Sequence, residues 1–156
     1  MDALLQLGIG LVVAIIAFFI GAWYQRRIDN KKREKDFYLD YYKDLWMVVQ
    51  NVDGVIQRGR KIDHQKVMGS ILEKYSCADI NAYLRNCVKT DSQELKNLLV
   101  QFSDNLSEYE QETGRLQYPS MGDGQTNFQE ISRTISNKIR NNIISNVNQY
   151  KNPLEQ

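Results

Sequence analysis

The run from Ala3 to Tyr24, ALLQLGIGLVVAIIAFFIGAWY, contains no Asp, Glu, Lys, Arg, His or Pro. As a helix rising ~1.5 Å per residue, about twenty-two such residues reach ~33 Å, against a hydrocarbon core of ~30 Å. The run is predicted to be a membrane-spanning helix, and this constrains everything after it: the remaining chain folds with one end anchored. A cleaved secretory signal fits poorly, because only Met1 and Asp2 precede the run and it is too long for the apolar centre of a signal peptide.

The flanks set the expected orientation. Trp23 and Tyr24 suit a membrane–water boundary, and Arg26, Arg27, Lys31, Lys32, Arg33 and Lys35 follow them, whereas the other flank has only the α-amino group and Asp2. Clustered Lys and Arg mark the cytoplasmic end of a membrane helix. The chain is therefore expected in the cell membrane as a single-pass protein, N-terminus outside and C-terminal domain cytoplasmic. Trp23, Tyr24, Arg26, Arg27, Lys31 and Lys32 form its interface with the headgroups. Asn105-Leu106-Ser107 has the form of a glycosylation acceptor, which a cytoplasmic domain would not use.

Gly10, Ala14, Ala17 and Gly21 recur at steps of four, three and four, which puts them on one helical face, with Gln6 a turn beyond. Helices in lipid attract one another through close backbone approach over small residues and through interhelical amide hydrogen bonds. Gln6, Gly10, Ala14, Ala17 and Gly21 are thus the expected face for self-association or for docking on another membrane helix.

Beyond the anchor roughly 130 residues remain, enough for one ordinary domain. A formal charge of +1 excludes a strongly basic nucleic-acid binder. Two cysteines, Cys77 and Cys87, and one histidine, His64, provide no structural zinc set. In a reducing cytoplasm the cysteines are expected to be small core residues; a disulfide between them is expected only if the orientation is inverted.

From Gln25 to about Gln57 no proline intervenes, and Tyr38, Tyr41 or Tyr42, Leu45, Val48 or Val49, Val52, and Val55 or Ile56 recur at helical spacing. The membrane helix is therefore predicted to continue past the membrane, standing in water or against lipid headgroups from Arg26 to Asp36, packing from Phe37 and stopping at Gly59. Asp36, Asp40 and Asp44 share one face, read as ion-paired with Lys32, Lys35 and Lys43 rather than as a metal site. A second helix is expected from Asp63 or His64 through Tyr75, and a third over Ser76 to Lys89. A fourth runs from the caps Thr90-Asp91-Ser92 to about Gly114, with Leu95, Leu98, Leu99, Phe102, Leu106 and Tyr109 facing inward. Leu116 to Gln125 is expected to be a loop, whose Gly122-Asp123-Gly124 lacks the Lys-Ser/Thr of a phosphate loop. A last helix over Thr126 to Tyr150 carries the narrow seam Phe128, Ile131, Ile135, Ile139, Ile143 and Val147.

The expected architecture is all-α: a single N-terminal transmembrane helix continuing into a small cytoplasmic helical bundle or helical hairpin array. Its segments are the anchor 1–25, a charged juxtamembrane stretch 26–36, the helical domain 37–150 and a tail 151–156. No catalytic residue, metal ligand, cofactor or small-molecule substrate is assigned, because no nucleophile motif or nucleotide fingerprint occurs. The reading is a non-enzymatic, membrane-anchored interaction or adaptor protein whose partners are the lipid bilayer and either another protein or itself. A second reading from another class is an oligomerising membrane effector, of toxin or defence type, that perturbs the bilayer when triggered.

Overall fold

A computed structural model of the chain describes residues 2–88, 90, 92–115 and 123–151, with side chains placed except at 2–9, 11, 64, 115, 123–126 and 149–151. Among the described residues the structure is helical without strands. Helix α1 spans Asp2–Gln57, α2 His64–Lys74, α3 Ile80–Ala82 with a π-helical turn Tyr83–Cys87 directly after it, α4 Gln93–Arg115 and α5 Asp123–Lys151. The chain divides into two units, Met1–Asp40 and Tyr41–Gln156.

In the first unit, large apolar side chains of α1 stand exposed from Val12 to Ile28. Among the described residues, no helix is long and apolar enough to cross a membrane. The run assigned to the bilayer by sequence begins at Ala3, and its side chains up to Ile9, with Leu11, lie outside the described set.

The second unit is a bundle built on the C-terminal part of α1. Tyr41, Tyr42, Leu45, Val48, Val49, Val52 and Ile56 form its buried face, so packing begins at Tyr41 and not at the exposed Phe37. The end of α1 follows from Gly59, whose φ of 62° is the left-handed conformation that glycine adopts without a Cβ penalty. The Gly59 N–H donates to the Ile56 carbonyl at 2.9 Å and the Arg60 N–H to the Val55 carbonyl at 3.2 Å, which satisfies two of the otherwise orphaned carbonyls. Gln129 Nε2, from α5, reaches the Ile56 and Gln57 carbonyls at 3.3 and 3.1 Å. The Gln57 amide returns a 2.7 Å bond to the Gln129 carbonyl.

Asp63 caps α2, accepting from the Lys66 N–H at 3.2 Å. The helix closes by the same motif as α1, with the Ser76 N–H on the Glu73 carbonyl and the Cys77 N–H on the Leu72 carbonyl, but here Ser76 takes the positive φ of 55°. A non-glycine residue in this region costs roughly 1 kcal/mol.

The expected third helix over Ser76 to Lys89 is a shorter object. Asp79 caps α3 through the Ala82 N–H at 2.7 Å, and the Val88 N–H then reaches the Tyr83 carbonyl at 3.1 Å in the wider π register. Tyr83 and Leu84 point into the core. The turn is held on α4 by Arg85, which pairs with Asp104 and donates to the buried Ser103 hydroxyl at 2.9 Å.

Ser92 caps α4 by accepting from the Leu95 N–H at 3.3 Å. Leu95 occupies the position at which a reciprocal capping box needs Glu or Gln, so the cap is one-sided. Leu95, Leu99, Phe102, Leu106 and Tyr109 are fully buried, as the periodicity predicts. Helix α5 starts at Asp123, inside the expected loop; positions 116–122 of that loop and 152–156 of the tail lie outside the described residues.

The seam of α5 is displaced from its expected line. Ile135, Ile139 and Ile143 are buried, but Ile131 is 37% exposed and Ser132 is fully buried in its stead. At about 100° per residue, Ile131 sits about 80° around the helix from Ile139, and Ser132 only about 20°. The Ser132 hydroxyl meets the polar requirement of that position by donating to Asp53 Oδ1 at 2.6 Å.

Candidate functional site

The small residues of the association face expected on α1 that are described, Gly10, Ala14, Ala17 and Gly21, are exposed. A Cβ added at Gly10 or Gly21 would meet no atom within 4 Å; the Gln6 side chain lies outside the described set. The interface residues are exposed as well. Trp23 stacks under the Arg27 guanidinium at 5.5 Å, one helical turn away, while Tyr24, Arg26, Lys31 and Lys32 extend from the helix.

The carboxylate row Asp36, Asp40, Asp44 does not act as a unit. Asp44 faces α2, where its Oδ2 accepts from Lys74 Nζ at 2.6 Å and from the Tyr75 hydroxyl at 2.9 Å. Partial burial pushes the Asp44 carboxyl up, but the bonds from Lys74 and Tyr75 and the charges of Lys74 and Lys43 outweigh it and hold the group below the usual carboxylate range. Burial and the bond to Asp44 push the Tyr75 phenol up to about 12. Tyr75 also packs against Tyr41 at 5.9 Å and Tyr83 at 5.5 Å between ring centroids. Burial, with Tyr75 and Asp44 beside it, raises Tyr83 further, and its hydroxyl has no hydrogen-bond partner among the described residues. Each shift fixes its group in one protonation state at neutral pH, the opposite of what a general acid or base requires.

Cys77 and Cys87 correct the expectation of two reduced core thiols. Both are half-buried and are joined as a disulfide, with Cα atoms 6.5 Å apart. The bond connects the residue after the closing turn of α2 to the last residue of the π turn, so the break in the expected third helix brings the two sulfurs together. Among the described residues no group of three or more His, Cys, Asp or Glu is arranged to hold a metal, and the His64 side chain lies outside them. Asn105 is only 6% exposed, its amide donating to the Phe128 carbonyl at 3.4 Å, which removes it from reach as a glycosylation acceptor.

One concave feature carries unbalanced charge. The end of α1, the connector 58–63 and the first turn of α2 enclose a groove of about 410 Å³ whose lining includes Arg58, Arg60, Lys61 and Lys66 against the single carboxylate of Asp63. The charges are dispersed in sequence between Arg58 and Lys66, and only the turn at Gly59 and the cap at Asp63 bring them around one space. Compared with known proteins, the chain matches no family model, no curated protein and no solved structure.

Proposed function

We propose that this chain is a non-enzymatic, single-pass membrane protein whose N-terminal helix anchors it and whose bundle, on the cytoplasmic side, is an interaction module for a protein partner or a second copy. The observation that carries this reading is the uncovered apolar surface of the first unit. Val12, Ile16, Phe18, Phe19 and Ile20 are between 52% and 72% exposed, in a run that is uncharged in sequence back to Ala3. Full burial of one such side chain is worth roughly 1.5–3 kcal/mol, so leaving five in water forfeits on the order of 10 kcal/mol, comparable with the stability of a whole domain. A surface of that kind requires a cover. The aromatic pair Trp23 and Tyr24, followed by basic side chains, favours a bilayer as that cover. The same basic flank favours the cytoplasmic side for the bundle, whereas the Cys77–Cys87 disulfide weighs toward an oxidising compartment and the inverted orientation.

The test is made on the full-length protein. Washing membranes with alkaline carbonate should leave it in the pellet; release into the supernatant would remove the anchor from the reading. In mild detergent its native mass should exceed that of one chain, as an oligomer or with a second protein in fixed ratio. The double substitution Gly10→Ile with Gly21→Ile should lower that mass if the small-residue face makes the contact. A wild-type protein that is monomeric and carries no second chain would overturn the interaction reading.

A further inference from the structure

The groove at the start of α2 has properties that an ordinary solvated surface lacks. Its wall is ordered from both sides: the Tyr109 hydroxyl, deep in the core, donates to the Arg60 carbonyl at 2.8 Å, and the Gly59 and Arg60 N–H groups are committed to α1. Arg58, which lines the groove, is tied back to the end of α1 by its Nε on the Gly54 carbonyl at 2.7 Å. Asp63, the carboxylate nearest these cations in sequence, uses Oδ1 to cap α2. Among the described residues Arg60, Lys61 and Lys66 form no ion pair. Four cationic side chains thus surround a space of about 410 Å³, a ligand-sized volume, beside the positive end of an eleven-residue helix. Like charges gathered around one concave space raise the local potential and draw in anions.

We propose that this groove binds clustered phosphate groups, carried either by a free oligophosphate such as a nucleoside triphosphate or by a polyphosphorylated lipid headgroup. Arginine provides the planar fork that meets two phosphate oxygens at once, and lysine a mobile point charge, and the groove contains two of each. A single carboxylate or monophosphate would leave most of these cations unmatched, so the number of positive groups selects a ligand with several negative charges. The site goes beyond the membrane-anchored reading and stands without it, since every residue in it belongs to the second unit.

Calorimetry on the full-length protein in a neutral detergent, at about 0.15 M salt so that long-range attraction is screened, decides the matter. Pyrophosphate and ATP are titrated separately, with inorganic phosphate and sulfate for comparison. Vesicles of phosphatidylcholine with and without a bisphosphorylated phosphoinositide form a second arm. Saturable binding of pyrophosphate or ATP, weakened at least tenfold by Lys61→Gln with Lys66→Gln and unchanged by Lys96→Gln with Lys138→Gln, supports a free oligophosphate. Binding confined to phosphoinositide vesicles with the same dependence on Lys61 and Lys66 supports the headgroup. No saturable binding in either arm overturns the proposal, as does binding that the Lys96 and Lys138 substitutions weaken equally. Retained circular dichroism and melting temperature in each variant separate lost binding from lost folding.

Discussion

Reducing the Cys77–Cys87 bond opens a cross-link between residues separated by 10 positions. The chain-entropy relation gives a loop of that size a stabilisation of about 2.7 kcal/mol at 25 °C, acting on the unfolded chain. The native side of the equilibrium should move little. Ile80, Tyr83 and Leu84, between the two cysteines, are buried in the core and hold the segment whether or not the sulfurs are joined. With an unfolding entropy of roughly 2.1 cal/mol/K per residue over about 115 residues, the loss corresponds to a melting temperature lower by about 11 °C. The assay is a far-UV circular dichroism melt of the full-length protein with and without a phosphine reductant, beside the double variant Cys77→Ala, Cys87→Ala. The variant should melt with the reduced protein and ignore the reductant. In protein whose intact mass shows the bond formed, a wild-type melt that the reductant leaves within about 2 °C, well below the entropy figure, would refute the reasoning. The bond also bears on orientation, since disulfides persist in oxidising compartments and are kept reduced in the cytoplasm. Alkylation in intact cells before lysis should therefore find both thiols free if the domain is cytoplasmic. Complete protection from alkylation would invert the orientation while leaving the bond itself intact.

Two tyrosines should respond in opposite senses to loss of the hydroxyl. Tyr83→Phe removes a buried hydroxyl without a described partner and should raise stability by about 1 kcal/mol in chemical denaturation, while Tyr109→Phe strands the Arg60 carbonyl and should lower it by about 1 kcal/mol. Asp44→Asn should cost about 1–2 kcal/mol at neutral pH, the Lys74 share being small because that side chain is 55% exposed. Because the folded carboxyl titrates below its unfolded value of 3.8, this contribution is present above that pH and lost as pH falls through the lower folded value. The gap between wild type and Asp44→Asn should therefore close in denaturation series run below pH 3.8. Tyr75 has the opposite sign: its contribution is full below the unfolded value of 10.0 and lost as pH rises through about 12, so alkaline unfolding should be blunted in Tyr75→Phe.

What the sequence revealed and what it hid divide along the range of the interactions. The stop at Gly59, the cap at Asp63 and the inward row of α4 depend on residues within one or two turns, and each is found where local chemistry puts it. The π turn at Tyr83 was not readable, because Ile80, Tyr83 and Leu84 lie on one face in either register. The end of α2 at Lys74 falls within one residue of its expected place, although Ser76 closes it in a positive-φ conformation that a sequence usually signals through glycine. The partner of Asp44 is Lys74, 30 residues on, while the periodic reading offered only the lysines of α1 itself. Likewise the basic groove needs the turn at Gly59 to fold Arg58 and Arg60 toward Lys66, so its charges read as scattered until that turn is in place.

The distribution of apolar surface narrows where a protein partner can make contact. Among the described residues, the large apolar side chains exposed in the bundle are Met47, Val100, Ile131 and Ile144, contributed by three different helices. Ile131 and Ile144, both on α5, lie about 20 Å apart along its axis and about 140° apart around it, so they cannot belong to one patch. A specific, stable interface buries about 800 Å² per partner around an apolar centre, which separated side chains of this kind do not supply. Hydrophobic docking on the bundle is thereby disfavoured. Two modes of contact remain for the proposed protein: helix against helix along Gly10, Ala14, Ala17 and Gly21 of the first unit, where small residues permit close approach, and, on the bundle itself, charge-directed contact at the groove lined by Arg60, Lys61 and Lys66. On the two proposals made above, the first contact would fix which chains sit together and the second would make the bundle responsive to an anion.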